Sequence, residues 1–238
     1  MKIINYLLLI CLAVPGCKSV NYYTPGVNAN TFANPGEVQA TGNFSTSGFL
    51  AKGGVAVTKN LSVNALYNSS SGMMKGYHVK EGEFGAGWRF SPGSPQGISL
   101  FGGYGWGNNF DLDSGEVVKD FQGNFQKPFL IFNYGSARIA KTGFIHMDFN
   151  MGFKFSYFGY HGFKTSYQNG AYVNTPFNPQ HFLTEPYVMA SLGGRRVQFE
   201  FGMSFALKRL KEIGEGARVF PITIQFGIKI LLNRKYEE

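Results

Sequence analysis

The residues of this sequence that come nearest to a catalytic arrangement are His146 and Asp148, which lie two positions apart. A histidine beside a carboxylate can activate a water molecule for hydrolysis. On a β-strand, residues two positions apart point to the same side, so both side chains would face one compartment. Five more charged residues take the same face of the alternating segments described below: Glu83, Arg89, Lys154, Glu200 and Lys229.

These charged side chains also suit a structural role inside a narrow barrel. Charges that cannot reach water are stabilised by opposite charges placed beside them. The set contains both signs, so its members can pair across a lumen. We therefore predict a luminal polar network and no catalytic residue; the network comprises Glu83, Arg89, His146, Asp148, Lys154, Glu200 and Lys229.

Other candidate sites lack essential parts. The acidic stretch DLDSGE (111–116) resembles a calcium loop, but its third ligand position falls on Gly115 and its closing position on Gln122. The glycine-rich stretch 102–107 has no helix after it that would bind a phosphate. The net charge is +8, yet the 22 Lys and Arg residues form no block. We expect no metal, no cofactor and no nucleic-acid partner.

The amino-terminal residues MKIINYLLLICLAVPGC have the layout of a secretory signal: Lys2, an apolar run from Tyr6 to Val14, then small residues. That run is too short to span a bilayer. Val14-Pro15-Gly16-Cys17 resembles a bacterial lipobox, from which Pro15 departs. We predict a signal peptide over 1–16, lipidation of Cys17 and a tether over 17–36, with the lipid on the periplasmic side; a plain signal peptide is the alternative.

Alternation with a period of two dominates the rest of the chain. In IHMDFNMGFKFSYF (145–158), the odd positions are apolar or aromatic and the even positions are polar or small. This pattern predicts a β-strand with two unlike faces. Ten such segments predict an all-β antiparallel barrel over 37–231, with a tail over 232–238 and eight strands as the alternative; the segments are 37–46, 48–58, 61–69, 79–91, 97–107, 126–138, 143–158, 181–193, 196–208 and 218–231.

The connections between these segments alternate in length. Short turns follow every second segment, whereas long loops are expected at 70–78, 108–125, 159–180 and 209–217. Short turns at one end and long loops at the other are typical of a transmembrane β-barrel with an even number of strands. Both termini would then lie at the short-turn, periplasmic end.

Composition favours lipid, rather than a protein core, as the neighbour of the apolar face. Charged residues make up 15% of the chain, against about 25% in ordinary globular proteins. The polar face is rich in Gly, Ser, Asn and Gln, which suit a crowded interior. Tyr67, Trp88, Phe90, Trp106 and Tyr157 stand near strand ends, as in interfacial aromatic girdles. The alternative is a soluble barrel whose apolar face points inward.

With its signal segment, alternating strands and unequal connections, the chain resembles a small Gram-negative outer-membrane β-barrel protein. The resemblance implies a location in the cell outer membrane, among outer-membrane lipids. The omptin-like proteases also have ten strands, but their site lies at the extracellular rim, whereas His146 and Asp148 stand near the periplasmic start of their strand. Lipid A-modifying barrels use a membrane-facing His–Ser pair, which His146 with Ser156 or Ser204 does not match.

Three functions are compatible with the sequence. The first is a non-enzymatic barrel that stabilises the membrane or binds another outer-membrane or periplasmic protein. The second is an outer-membrane hydrolase with its site at the loop rim. The third is a tethered soluble barrel that binds a hydrophobic ligand. The first agrees best with the absence of a recognisable catalytic motif.

Overall fold

The computed structural model describes residues 22–23, 25–71, 77–90, 94, 96–112, 119–142, 145–168, 171–208, 219–220 and 222–235. Alternating apolar and polar residues form ten long strands, as the period of two predicts. They are β1 (Val38–Ser45), β2 (Gly48–Ala56), β3 (Leu61–Ser71), β4 (Tyr77–Arg89), β5 (Gln96–Leu112), β6 (Lys119–Thr142), β7 (Ile145–Gln168), β8 (Gln180–Gly193), β9 (Val197–Phe205) and β10 (Ile222–Leu232).

The ten strands close into one antiparallel barrel. Each strand pairs with the next along the chain, and β10 returns to pair with β1 from Gln225↔Ser45 to Leu232↔Val38. This confirms the predicted all-β barrel with ten strands, and the alternative of eight strands is wrong. No helix in the described part of the chain is long and apolar enough to cross a membrane.

Three strands run further than the sequence pattern indicated. β5 and β6 are still paired at Leu112↔Lys119, and β7 continues to Gln168. A further strand, Ala171–Phe177, pairs antiparallel with β7 from Gln168↔Ala171 to Gly162↔Phe177. The expected loop 159–180 is therefore wrong; most of it is a β-hairpin, since its aromatic and β-branched residues favour strand pairing.

The outer face of the barrel wall is apolar and the inner face is polar, which is the reverse of the usual arrangement in soluble proteins. In β7, Ile145, Met151 and Phe153 are about half exposed on the outer face, whereas His146, Asp148 and Lys154 are fully buried inside. The same division recurs around the barrel, with Trp88, Trp106 and Phe226 among the exposed aromatics. The polar face of the alternation therefore lines the lumen.

The chain before β1 fills part of that lumen. Residues 25–32 are buried, and Val27 and Ala29 pack in an apolar cluster with Phe101, Ile131, Tyr187 and Met189. This stretch belongs to the range predicted as a tether, and the structure places it inside the barrel. We call residues 25–34 the luminal segment.

Two short strands mark where the luminal segment begins. Tyr22–Tyr23 pairs in parallel with Val219–Phe220, just before the start of β10. That start lies at the long-loop end, opposite the turn that joins β2 to β3. The expectation that both termini lie at the short-turn end is therefore wrong for Tyr22–Tyr23. A further short strand, Leu207–Lys208, pairs with β8 beyond the end of β9.

Candidate functional site: the filled lumen

The first charged cluster lies between β4, β6 and β7 and is built only from strand residues. Lys127 Nζ lies 2.5 Å from Glu81 Oε1 and 2.6 Å from Glu83 Oε1. Lys154 Nζ also binds Glu83, at 2.6 Å from its Oε1. All four side chains are at most 3% exposed. We call this group the strand cluster.

A second ion pair joins two strands that are separated by β1 and β10. Lys52 on β2 binds Glu200 on β9, and Asn43 Nδ2 on β1 donates a hydrogen bond of 2.9 Å to Glu200 Oε1. Lys52 and Glu200 are both buried. The pair therefore bridges β2 and β9 across the closing strands β1 and β10.

A third cluster lies at the short-turn end, and we call it the end cluster. Arg234 donates to both carboxylate oxygens of Asp148, at 2.9 Å and 2.7 Å, and its Nε donates to Glu37 Oε1 at 2.7 Å. Lys229 Nζ lies 3.2 Å from Asp148 Oδ2. Two of the four side chains, Glu37 and Arg234, lie outside the strands.

The backbone turns Arg234 into the lumen. Asn233 has a φ of 58°, a left-handed conformation that asparagine adopts more readily than most residues. The chain therefore bends inward directly after β10. Burial alone would lower the pKa of the Arg234 guanidinium, but the carboxylates of Asp148 and Glu37 raise that pKa above its ordinary value.

The His146–Asp148 pair is not arranged for hydrolysis. Both side chains are fully buried, and the Asp148 carboxylate accepts hydrogen bonds from Arg234 and Lys229. A general base must reach the proton it takes, and here two cations occupy the carboxylate. The geometry is that of a structural ion cluster.

The luminal segment descends the barrel with its polar side chains bonded to the wall. Asn28 Nδ2 donates to the carbonyl of Ala65 at 2.6 Å, and Asn30 Nδ2 donates to Asn64 Oδ1 at 3.3 Å. Thr31 donates to Asn150 Oδ1. At the short-turn end, Asn34 Nδ2 donates to the carbonyl of Asn233 at 2.9 Å.

Arg89 stands apart from the three clusters. Its guanidinium donates to the backbone carbonyls of Phe32, in the luminal segment, and of Ser94, in the turn after β4. A cleft of about 260 Å³ opens beside it at the short-turn end, between the luminal segment and the turns after β2 and β4. Arg89 thus ties the luminal segment to the wall.

Of the seven predicted network residues, Glu83 and Lys154 meet in the strand cluster, Asp148 and Lys229 in the end cluster, and Glu200 in the Lys52 pair. His146, two positions before Asp148, is buried, and Arg89 binds the luminal segment. The structure places these residues in the contacts described above.

Several partners of these residues were not predicted from the sequence. Glu81 was recognisable, because it lies two positions before Glu83 and shares its face. Lys127 was not, because it shares its face with Phe125 and Phe129. Arg234 carried no such signal, because it lies beyond the last alternating segment, and Glu37 is the first residue of segment 37–46, with no charged neighbour on its face to mark it. In the described residues the buried side chains include six carboxylates and five cations, namely Glu37, Glu81, Glu83, Asp148, Glu185, Glu200, Lys52, Lys127, Lys154, Lys229 and Arg234.

The other candidates can be placed briefly. Within the described ranges, no group of three His, Cys, Asp or Glu side chains is placed to hold a metal ion. Residues 102–107 lie within β5, and residues 111–112 end it. Cys17 and residues 113–118 lie outside the described residues.

No protein-family model matches this chain. A search of curated proteins also finds no match.

Proposed function

We propose that this chain is an outer-membrane β-barrel lipoprotein, lipidated at Cys17, with a structural or partner-binding role and no enzymatic activity. The observation that carries the proposal is the inverted polarity of the wall. A soluble barrel would expose its charges and bury its large apolar side chains. Here lysines and carboxylates are inside, while Phe, Trp, Tyr, Ile and Leu side chains cover the outside.

The size and spread of the apolar surface support lipid as its neighbour. Exposed apolar patches of more than a few hundred Å² are rare on soluble monomers. In this barrel every long strand contributes to the outer face, for example Phe44 on β1, Phe132 on β6 and Phe201 on β9. A lipid layer covers such a belt without any specific contact.

The filled lumen supports a non-enzymatic role. Its charges are bound to one another, and the luminal segment occupies the space beside them. A barrel of ten strands is also much narrower than the porins of about 16 to 18 strands, which leave an aqueous channel. A partner would then bind the part of the barrel surface that lies outside the membrane.

The hairpin beyond β7 is the best candidate for that surface. It is formed by the end of β7, Gly162–Gln168, and the strand Ala171–Phe177 that pairs with it. Phe163, Tyr172 and Val173 are exposed on it. Aromatic side chains that stand in solvent are common anchors of protein interfaces. Replacing residues 162–177 by a short turn should abolish partner binding and leave the barrel folded.

Membrane insertion is tested by a charge on the outer face. Phe201→Arg should destabilise the barrel in lipid vesicles by about 2–4 kcal/mol if Phe201 faces the middle of the bilayer, and Phe201→Leu should have little effect. Urea unfolding followed by fluorescence of the two outward Trp residues measures both. Equal stability of the two variants would show that Phe201 does not face lipid and would contradict the proposal.

Fractionation gives an independent check in cells. The Cys17→Ala variant should stay in the outer membrane through a carbonate wash and leave it only with detergent. Its release into the soluble periplasmic fraction would contradict the proposal.

A further inference from the structure

The luminal segment passes through the barrel from one end to the other. Its first residues lie near the top of β10, where a Cβ placed on Gly26 would be 2.7 Å from Gln225 Oε1. Asn28 and Asn30 then bind β2 and β3 about midway to their short turn. Asn34 meets Asn233 beyond the far end of β10. The segment therefore runs from the long-loop end to the short-turn end before β1 begins.

The pairing of Tyr22–Tyr23 fixes the direction of the chain before this passage. Its partner Val219–Phe220 directly precedes β10 at the long-loop end. From Phe220 to Leu232, twelve residues of about 3.3 Å at a tilt of about 45° rise roughly 28 Å. Tyr22 thus lies a barrel's height away from the short turns.

Cys17 precedes Tyr22 by five residues. Five residues of extended chain span at most about 18 Å, which is less than the height of the barrel. While the luminal segment is in place, a group attached to Cys17 cannot reach the membrane surface at the short-turn end.

We propose that the amino-terminal end is threaded through the barrel and displayed at the long-loop face, together with any lipid on Cys17. The inference rests on the proposed membrane location, in which the long-loop face is the outer surface of the cell. It assigns the amino terminus to the side opposite the one that the sequence pattern indicated.

Glycines in the wall make room for the threaded chain. A Cβ placed on Gly135 would lie 2.9 Å from Thr31 Cβ and closer still to the Thr31 hydroxyl. A larger side chain at this position would occupy the path of the segment. Gly102 offers a matched control, because it is exposed and a Cβ there would meet only Leu130, at 4.0 Å.

The test is labelling of single introduced cysteines with a membrane-impermeant maleimide, in intact and in lysed Gram-negative cells. Tyr22→Cys reports on the amino terminus, Asn174→Cys on the hairpin and Thr58→Cys on a short turn. The parent chain with its own cysteines gives the background. We expect Tyr22→Cys to be labelled in intact cells as fully as Asn174→Cys, and Thr58→Cys only after lysis.

Labelling of Tyr22→Cys only after lysis, with Asn174→Cys labelled in intact cells, would overturn the threading and leave the proposed function standing. Absence of labelling at Asn174→Cys in intact cells would instead overturn the membrane orientation, and the threading with it. Labelling of Asn174→Cys therefore shows whether a negative result at Tyr22→Cys contradicts the threading alone or the membrane orientation as well.

A second variant tests the route. In a Gly135→Leu background, Tyr22→Cys should lose its labelling in intact cells, while Asn174→Cys keeps it and so reports a folded, inserted barrel. Gly102→Leu should change neither. Unchanged labelling of Tyr22→Cys in Gly135→Leu would show another route and overturn threading along the luminal segment.

Discussion

The strand cluster and the end cluster are both buried ion networks, yet they join different parts of the molecule. Lys127, Glu81 and Glu83 come from the middle of long strands and connect β4 to β6. Arg234 and Glu37 come from the two ends of the barrel sequence and bind each other, and Arg234 also binds Asp148 on β7. The strand cluster joins strands of the wall to one another, whereas the end cluster joins the two ends of the barrel sequence to the wall.

The two clusters differ in the contacts that remain when one charged side chain is removed. In the strand cluster, Glu81 and Glu83 share Lys127 at the closest distances. In the end cluster, Glu37 also accepts hydrogen bonds from Gln39 Nε2 at 2.8 Å and from the Ala33 amide at 2.7 Å. Without Lys127, the two buried carboxylates of Glu81 and Glu83 keep their mutual repulsion and share one cation fewer, so the strand cluster should be the more sensitive of the two.

The largest effect is expected for Lys127→Met. It removes a cation bound to two buried carboxylates, and loss of one partner from such a group costs about 3–5 kcal/mol. Urea unfolding of the barrel in lipid vesicles measures the loss. Adding Glu81→Gln removes one of the two carboxylates that Lys127 binds and should restore part of the stability; a double variant no more stable than Lys127→Met would contradict this account.

A smaller effect is expected for Arg234→Met. Asp148 keeps Lys229 at 3.2 Å, and Glu37 keeps its other donors, so we expect a loss of about 2 kcal/mol, close to that of one hydrogen bond to a charged group. The same unfolding experiment applies, with Lys235→Met as an exposed control. A loss equal to that of Lys127→Met would remove the distinction between the clusters.

The smallest effect is expected for Lys229→Met. Its contacts are long, 3.2 Å to Asp148 and 3.4 Å to Ser191 Oγ, and Arg234 already binds both oxygens of Asp148. We expect a loss of about 1 kcal/mol. Combining Lys229→Met with Arg234→Met should cost more than the sum of the two, because Asp148 then loses both cations. Simple additivity would show that the two cations act independently.

The sequence predicted the wall well because alternation is a local property. Phe153 and Lys154 reveal their opposite faces through their immediate neighbours, and the same logic placed Glu83 and Glu200 inside. The lengths of β5 to β7 were underestimated, since residues such as Thr165 and Tyr172 pair outside the clear apolar pattern.

The contents of the lumen could not be predicted in this way. Residues 25–34 have no period, and their burial depends on contacts with strands far away in sequence, such as Asn28 with Ala65 and Thr31 with Asn150. Arg234 enters the lumen only because Asn233 turns the backbone inward. These contacts arise from closure of the ring, which no local pattern encodes.

The seam between β1 and β10 therefore sets an order of assembly. Asn34 and Asn233 are bonded beside it although 199 residues separate them, so this junction closes one of the longest loops in the chain and forms at a high entropic cost. A chain lodged inside a ring cannot enter sideways once the ring is sealed. We expect the amino-terminal stretch, which the ribosome makes first, to lie between the strands when the last strand docks, so that the barrel closes around it.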